Sequence, residues 1–117
     1  MSAQTFTKEE RLRKNAEFLK VRKTGKKISV EPLTLYVLKN DIGIKRLGLA
    51  VGKHLGSAAK RNKTKRILRE FFRTHKTVFP ETTDILIVAR KCVQNLDEIN
   101  AVFLEKKPFE KLRAKEN

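Results

Sequence analysis

The chain has a single cysteine, Cys92, among its 117 residues. One cysteine cannot form a disulfide within the chain, and together with His54 and His75 it supplies too few ligands for a zinc site. The cysteine content therefore fits a reducing compartment, where disulfides are rare.

Long apolar runs are also missing. No stretch approaches the ~20 apolar residues needed to cross a bilayer, and no signal-peptide core precedes a cleavage-like site. The sequence contains no internal repeat and no low-complexity linker. We therefore expect a soluble, cytoplasmic protein that is not exported.

Acidic residues are scarce. The chain has 13 aspartates and glutamates against 28 lysines and arginines, which gives a formal net charge of +15. Such an excess repels itself in a compact protein and attracts polyanions, so phosphate backbones are the natural partners. A chain of this length normally supports one domain. We predict one RNA-binding domain over residues 1–117, with frayed ends at residues 1–7 and 108–117.

The basic residues are concentrated, because eleven of them lie between Lys45 and Lys76 with only one acid. Ser57 suits an N-cap and Pro80 excludes continuation, so we predict a helix over residues 57–75. One arc of its helical wheel carries the apolar side chains Ile67, Leu68, Phe71 and Phe72. The opposite arc carries Asn62, Lys65, Arg66, Arg69 and Arg73, with Arg61 at its border. We expect the apolar face to pack against the rest of the protein and the basic face to bind a polyanion.

A basic run is often only a solvated helix face. Residues 60–76, however, hold eight basic residues and one acid, so like charges repel and few stabilising i,i+4 pairs can form. An arginine guanidinium can also donate two parallel hydrogen bonds to two oxygens of one phosphate. The pattern favours phosphate binding over simple solvation.

The N-terminal part predicts a helix over residues 8–23. Thr7 and Glu10 have the spacing of a capping box, and Gly25 provides a stop. Leu12, Ala16 and Leu19 fall on one stripe of this helix. Phe18 lies beside that stripe among polar and basic residues.

Three segments have strand patterns. Residues 30–38 alternate, with Leu33, Leu35 and Val37 on one face and Thr34, Tyr36 and Leu38 on the other. In residues 46–52 the large side chains alternate with glycine or alanine, which leaves one bare face. Residues 84–89 are continuously apolar or β-branched after the initial Asp84, as expected for a strand in the interior of a sheet. A last helix begins near Asn95 or Asp97, with its apolar residues at Leu96, Ile99, Val102 and Phe103.

The segment over residues 46–70, RLGLAVGKHLGSAAKRNKTKRILRE, is similar to the signature of the bacterial ribonuclease P protein subunit. Arg11-Leu12, Phe18, Gly25, Tyr36 and the run over residues 84–90 follow the family's order and nearly its spacing. The resemblance covers about residues 8–105.

This resemblance implies an α+β fold, an α/β sandwich with a single central sheet of about four strands and the order α-β-β-β-α-β-α. It also implies a left-handed β-α-β crossover, against the usual right-handed rule. The implied function is that of an accessory subunit of an endoribonuclease that removes the 5′ leader from precursor tRNA. The catalytic RNA subunit uses Mg²⁺ for the reaction, and the protein binds that RNA and the leader and lowers the Mg²⁺ requirement.

The resemblance places the contacts to the catalytic RNA on the basic helix, where the helical wheel adds Arg73: Arg61, Asn62, Lys65, Arg66, Arg69 and Arg73. It places the contacts to the leader in a cleft, for which we name Phe18, Arg22, Tyr36, Gly48, Ala50 and Lys53. Arg22 stands where the family usually has an aromatic residue, and Gly52 and Ser57 replace a common serine and asparagine. Without the resemblance, packing in the core is the simpler explanation for Phe18 and Tyr36 than stacking on bases. For Gly48 and Ala50, room for a packed helix is the simpler explanation than a cleft floor.

No catalytic or metal site is expected in the protein itself, and no protein partner is required. His54, His75 and Cys92 have no metal-site spacing, and the acids Glu9, Glu10, Asp41 and Asp84 do not form a two-metal carboxylate pattern. Two other functions fit the composition. One is a structural RNA-binding protein of ribosomal type with no role in cleavage. The other is a DNA-binding regulator that uses residues 57–75 as a recognition helix.

Overall fold

The computed structural model describes residues 7–110. Within that range one sheet contains four strands: β1 (Lys26–Val30), β2 (Leu33–Lys39), β3 (Arg46–Val51) and β4 (Thr83–Ala89). The α-helices are α1 (Asn15–Thr24), α2 (Ala58–Thr74) and α3 (Leu96–Asn100). The predicted α+β class, the four strands and the element order are confirmed.

The strands lie in the order β1-β2-β4-β3. β4 pairs antiparallel with β2 and parallel with β3, and Ile85, Leu86 and Ile87 are at most 2% exposed. The predicted interior position of this strand is therefore correct. α2 connects the parallel neighbours β3 and β4, which is the predicted β-α-β unit. Its left-handed crossover stays a prediction.

The helix predicted over residues 8–23 is wrong in its first half. Thr7 and Glu10 do form the capping box, but it caps only a 3₁₀ turn, Lys8–Glu10. The chain then extends, because the amide of Leu12 donates to the carbonyl of Leu47 at 2.9 Å. α1 begins only at Asn15, where Glu17 accepts hydrogen bonds from the amides of Arg13 and Lys14.

The predicted apolar stripe of the first helix is wrong as well. Leu19 is 54% exposed and Ala16 is exposed, whereas Val21 is 1% exposed. Leu12 is buried, but it lies before the helix. α1 thus packs through Val21, at a different angle from the one the sequence predicted.

The strand predicted over residues 30–38 spans the last residue of β1, a turn and nearly all of β2, so the prediction missed the turn and most of β1. β1 ends at Val30, a turn at Glu31 and Pro32 with a cis peptide bond reverses the chain, and β2 begins at Leu33. β1 then pairs antiparallel with β2. The predicted alternation holds within β2, where Leu33 and Leu35 are at most 1% exposed.

The larger core lies between one face of the sheet and α2 and α3. Leu68, Phe71 and Phe72 of α2 are at most 1% exposed, as the wheel predicted. Part of this core is a group of phenylalanine rings, in which Phe71 stacks on Phe103 with 4.9 Å between the ring centroids. Burial of a phenylalanine side chain contributes about 1.5–3 kcal/mol. This core fixes α2 with its polar face outward.

A smaller core lies on the other face of the sheet, beneath α1. Leu12, Val21 and Leu86 form its buried centre, and the partly buried side chains packed around it are Phe18, Tyr36, Leu38, Ala50 and Val88. Helices therefore cover both faces of the sheet, which is the predicted sandwich.

Both ends of α2 are as predicted. The Ser57 hydroxyl accepts a hydrogen bond from the amide of Lys60, and His75 is the C-cap. Thr64 is a buried polar residue that the wheel did not select. Its hydroxyl accepts from the amide of Val93 at 3.0 Å and donates to the carbonyl of Lys60, so it ties α2 to the segment before α3.

The last helix begins as predicted, with Asn95 as the N-cap of α3, and continues as a π-helix, Ala101–Glu105. Pro108 and Phe109 are buried, so these two residues belong to the core and not to a frayed end. The rest of the predicted frayed ends, apart from Thr7 and Glu110, lies outside the described residues. Within 7–110, no helix has the length and apolar character to cross a membrane.

Candidate nucleic-acid interface

The polar face of α2 forms a continuous stripe. Asn62, Arg66, Arg69 and Arg73 follow one another at spacings of three or four residues, which places them on one side of the helix. Asn62, Arg66 and Arg69 are exposed, and Lys65 at the edge of the stripe is half-buried. Within the described part of the chain, Arg66 and Arg69 have no ion pair, so their guanidinium groups are available to phosphates.

Arg61 and Arg73 are placed differently from the rest of the predicted set. Nε of Arg61 donates to the carbonyl of Gly56 at 3.2 Å, at the start of α2. Arg73 pairs with Glu70, with Nε to Oε1 at 3.1 Å and Nη2 to Oε2 at 2.5 Å. The hydrogen bond from Arg73 lowers the pKa of Glu70, and the same bond raises the pKa of Arg73. Glu70 thus neutralises one end of the stripe.

A second surface lies on the opposite face of the sheet. Phe18 of α1 and Tyr36 of β2 pack around the smaller core and are both half-buried. Ala50 belongs to the same surface and is also half-buried. The structure therefore places around one small core the two aromatic residues that we named for the leader cleft, and each residue stays partly exposed.

Gly48 lies beneath this aromatic surface. A Cβ atom on Gly48 would lie 3.1 Å from Cβ of Leu12 and 3.1 Å from Cε1 of Phe18. Its missing side chain lets Leu12 and Phe18 approach the sheet. This favours the packing explanation for Gly48, whose contact with a leader stays a prediction.

Arg22 lies over the other aromatic residue. Its guanidinium carbon is 5.7 Å from the centroid of the Tyr36 ring, within the range of a cation–π interaction. The residue that replaces a family aromatic thus adds a positive charge to the aromatic surface. The side chain of Arg22 is exposed and extends the surface along α1.

The ends of the parallel strands bring further basic residues together. Val51 pairs with Ala89 at the carboxyl ends of β3 and β4. Lys53 follows Val51 by two residues, and Arg90 and Lys91 follow Ala89 directly, all three exposed. The sequence pattern did not single out Arg90 and Lys91 as site residues. The β-α-β unit that the resemblance implies would have suggested parallel strands, whose pairing puts both residues at the same end of the sheet as Lys53.

An ion-pair network fixes α1 against the sheet. Nη1 of Arg46 donates to Oε2 of Glu17 at 3.1 Å, and Arg46 also binds Asp84 in β4 at 2.8 Å. Hydrogen bonds from the backbone amide of Arg13, then that of Lys14, together with the charge of Arg46, lower the pKa of Glu17. The hydrogen bond to Asp84 raises the pKa of Arg46. Phe18 follows Glu17 directly, so this network helps to hold the turn of α1 that carries Phe18.

Among residues 7–110, no three side chains of His, Cys, Asp or Glu come together in a group that could hold a metal ion. The arrangement offers exposed guanidinium and ammonium groups for phosphates and aromatic rings for bases. It can bind a nucleic acid on two faces of one small domain.

Comparison with known proteins identifies the family. The profile of the family Ribonuclease P matches residues 6–112. The ribonuclease P protein component of Syntrophus aciditrophicus is 41% identical over 90 residues, which are 77% of this chain and 76% of that protein. The Thermotoga maritima protein of the same name is 41% identical over 88 residues, which are 75% of each chain.

Solved structures of proteins from the same family are similar to this chain. A Staphylococcus aureus RNase P protein, a mutant with defective mRNA degradation activity, superposes with a TM-score of 0.78 at 33% identity and covers 91% of this chain and 90% of its own. The RNase P protein of Thermotoga maritima gives a TM-score of 0.67 at 36% identity over 88% and 94% of the two chains. The chain therefore belongs to the ribonuclease P protein family.

Proposed function

We propose that this protein is the accessory subunit of a ribonuclease P ribonucleoprotein that removes the 5′ leader from precursor tRNA. The stripe on α2 binds the catalytic RNA, and the aromatic surface on the other side of the sheet binds the leader. The observation that carries this proposal is the presence of the two surfaces on opposite faces of one sheet. A protein that binds a single RNA strand has no need of both.

Each surface suits its proposed partner. Arg66 and Arg69 are exposed and can bind the phosphates of a folded RNA in pairs of hydrogen bonds. Phe18 and Tyr36 offer rings to unpaired bases, and each base–aromatic stack contributes about 1–3 kcal/mol. A leader is single-stranded, so its bases are free to stack.

The chemistry belongs to the RNA partner, which uses Mg²⁺ for phosphodiester hydrolysis. The protein supplies positive charge at the junction of two polyanions. This charge screens the repulsion between them, so less Mg²⁺ is needed to hold the substrate. RNA affinity should fall steeply with salt, because each phosphate contact releases counterions.

The test is cleavage of a precursor tRNA with a 5′ leader by a bacterial ribonuclease P RNA at low Mg²⁺, with and without the protein. We expect cleavage at the mature 5′ end to be stimulated, and the stimulation to disappear as Mg²⁺ is raised. Tight RNA binding with no stimulation of several catalytic RNAs would overturn the proposal and favour a structural RNA-binding role.

A further inference from the structure

The segment between the two RNA surfaces forms a strap along the edge of the sheet. This N-terminal strap, residues 7–14, runs beside β3, where Arg11 forms a parallel bridge with Leu47. The amide of Leu12 donates to the Leu47 carbonyl, and the Leu12 side chain is 5% exposed. The strap is thus a fixed part of the fold.

The strap joins α2 to α1 around that edge. Nζ of Lys76, two residues beyond the end of α2, lies 2.8 Å from Oε2 of Glu10 in the strap. Arg73 lies in the last turn of α2, so the carboxyl-terminal end of the α2 stripe is the end that precedes this contact. At its other end the strap leads directly into α1, which carries Phe18. A strand of RNA that passes from one surface to the other along this edge would cross the strap.

The acids near the strap are largely paired with cations from other elements. Glu10 pairs with Lys76 of the segment after α2, and Glu17 pairs with Arg46 of β3. Glu9 is the remaining acid of the strap and is exposed. Arg13 and Lys14 are exposed, and neither side chain has a hydrogen bond or ion pair in the part of the chain that the structure describes. The corner between the strap and α1 therefore carries two positive charges that form no ion pair with the other described residues.

We infer that Arg13 and Lys14 form a third RNA contact, which binds the phosphate backbone between the α2 stripe and the aromatic surface. This inference rests on the proposed function for the identity of the polyanion. The backbone amides of both residues are held by Glu17, so their position is set before RNA arrives. A preset position lowers the entropy cost of binding.

The test compares Arg13→Gln/Lys14→Gln with Lys106→Gln/Lys107→Asn, which removes the same charge elsewhere. Lys106 donates to the carbonyl of Glu31, next to β1 at the opposite edge of the sheet, and asparagine tolerates the positive φ of Lys107. Binding is measured against salt in two arms, catalytic RNA alone and leader-bearing precursor tRNA added to the preformed complex. An unchanged denaturation midpoint serves as the check on folding.

We expect the strap variant to reduce the log–log salt slope by about 1.4–1.8 in one arm, about 0.7–0.9 for each lost phosphate contact, and the control variant to leave it unchanged. A reduced salt slope with catalytic RNA alone identifies the backbone of the catalytic RNA as the partner. A reduced slope only with the precursor identifies the leader. An unchanged slope in both arms, or an equal loss in the control, would overturn the inference. The proposed function fails separately, if the wild-type protein does not stimulate cleavage.

Discussion

The guanidinium of Arg46 holds the carboxylate of Asp84 in two hydrogen bonds, Nε to Oδ1 and Nη2 to Oδ2, each 2.8 Å long. The pair joins the parallel strands β3 and β4, and its side chains are 20% and 8% exposed. Because Arg46 also binds Glu17, the position of α1 depends on a contact made at the start of the edge strand β3.

Loss of this pair should destabilise the protein. We expect Asp84→Asn to lower the free energy of unfolding by about 1.5–3 kcal/mol, the range for hydrogen bonds to charged groups. Glu70→Gln is the control, because it removes a solvent-exposed pair with Arg73 that should contribute much less to stability. Urea denaturation measures both. Equal small losses would show that the Arg46 pair adds nothing beyond a surface contact.

The stability provided by Glu17 should depend on pH. Its pKa in the folded protein lies below the ordinary value of 4.5, so the folded state favours the ionised form. This contribution is fully present above that ordinary value and is lost as the pH falls through the lowered pKa. Glu17→Gln should therefore be less stable than wild type at neutral pH and equally stable in acid. A constant difference at all pH values would contradict this, and Glu105→Gln, at an exposed position, serves as the control.

Gly25 should be sensitive to a single added methyl group. A Cβ atom there would lie 2.4 Å from the carbonyl oxygen of Val21 and 3.0 Å from that of Val37. We expect Gly25→Ala to destabilise the protein by about 1–3 kcal/mol, as overpacking does. At Gly56 the nearest atoms lie 3.5 Å or more away, so Gly56→Ala should have a much smaller effect. Thermal unfolding of the two variants compares them directly, and similar midpoints would contradict the expectation.

The α2 stripe should control assembly with the catalytic RNA. Arg66→Ala should weaken binding and reduce the log–log salt slope by about 0.7–0.9, the value for one phosphate contact. The denaturation midpoint should not move, because the side chain is exposed. Lys106→Gln is the charge-matched control. If Arg66→Ala binds RNA as tightly as wild type, the stripe is not the RNA contact.

The aromatic surface should act only on substrates with a leader. Phe18→Ala should weaken binding of leader-bearing precursor tRNA by about 1–3 kcal/mol, the value of one base stack, and leave binding of mature tRNA unchanged. Leu19→Ala is the matched control on the same helix, since Leu19 is 54% exposed and lies outside this surface. Equal effects on both tRNAs would assign Phe18 to packing alone.

Local patterns in the sequence were enough to predict α2 and β4. Ser57 and the spacing of Leu68, Phe71 and Phe72 predicted the start of α2 and its buried face, because capping and amphipathic packing act within a few residues. Continuous apolar residues predicted β4 as an interior strand for the same reason. The stripe of Asn62, Arg66 and Arg69 follows from that buried face, so the sequence determined it too.

Contacts between distant residues decided the rest. The pairing of Leu12 with Leu47 breaks the predicted first helix, and the same pairing creates the strap. Part of the crowding at Gly25 comes from the carbonyl of Val37 in β2, and Lys53 and Arg90 follow the same end of the sheet only because β3 and β4 are parallel. Local sequence does not encode these approaches, since each depends on how separate elements pack. The sequence by itself determined which residues carry charge and which are buried in α2 and β4, and the tertiary structure decided which of them meet.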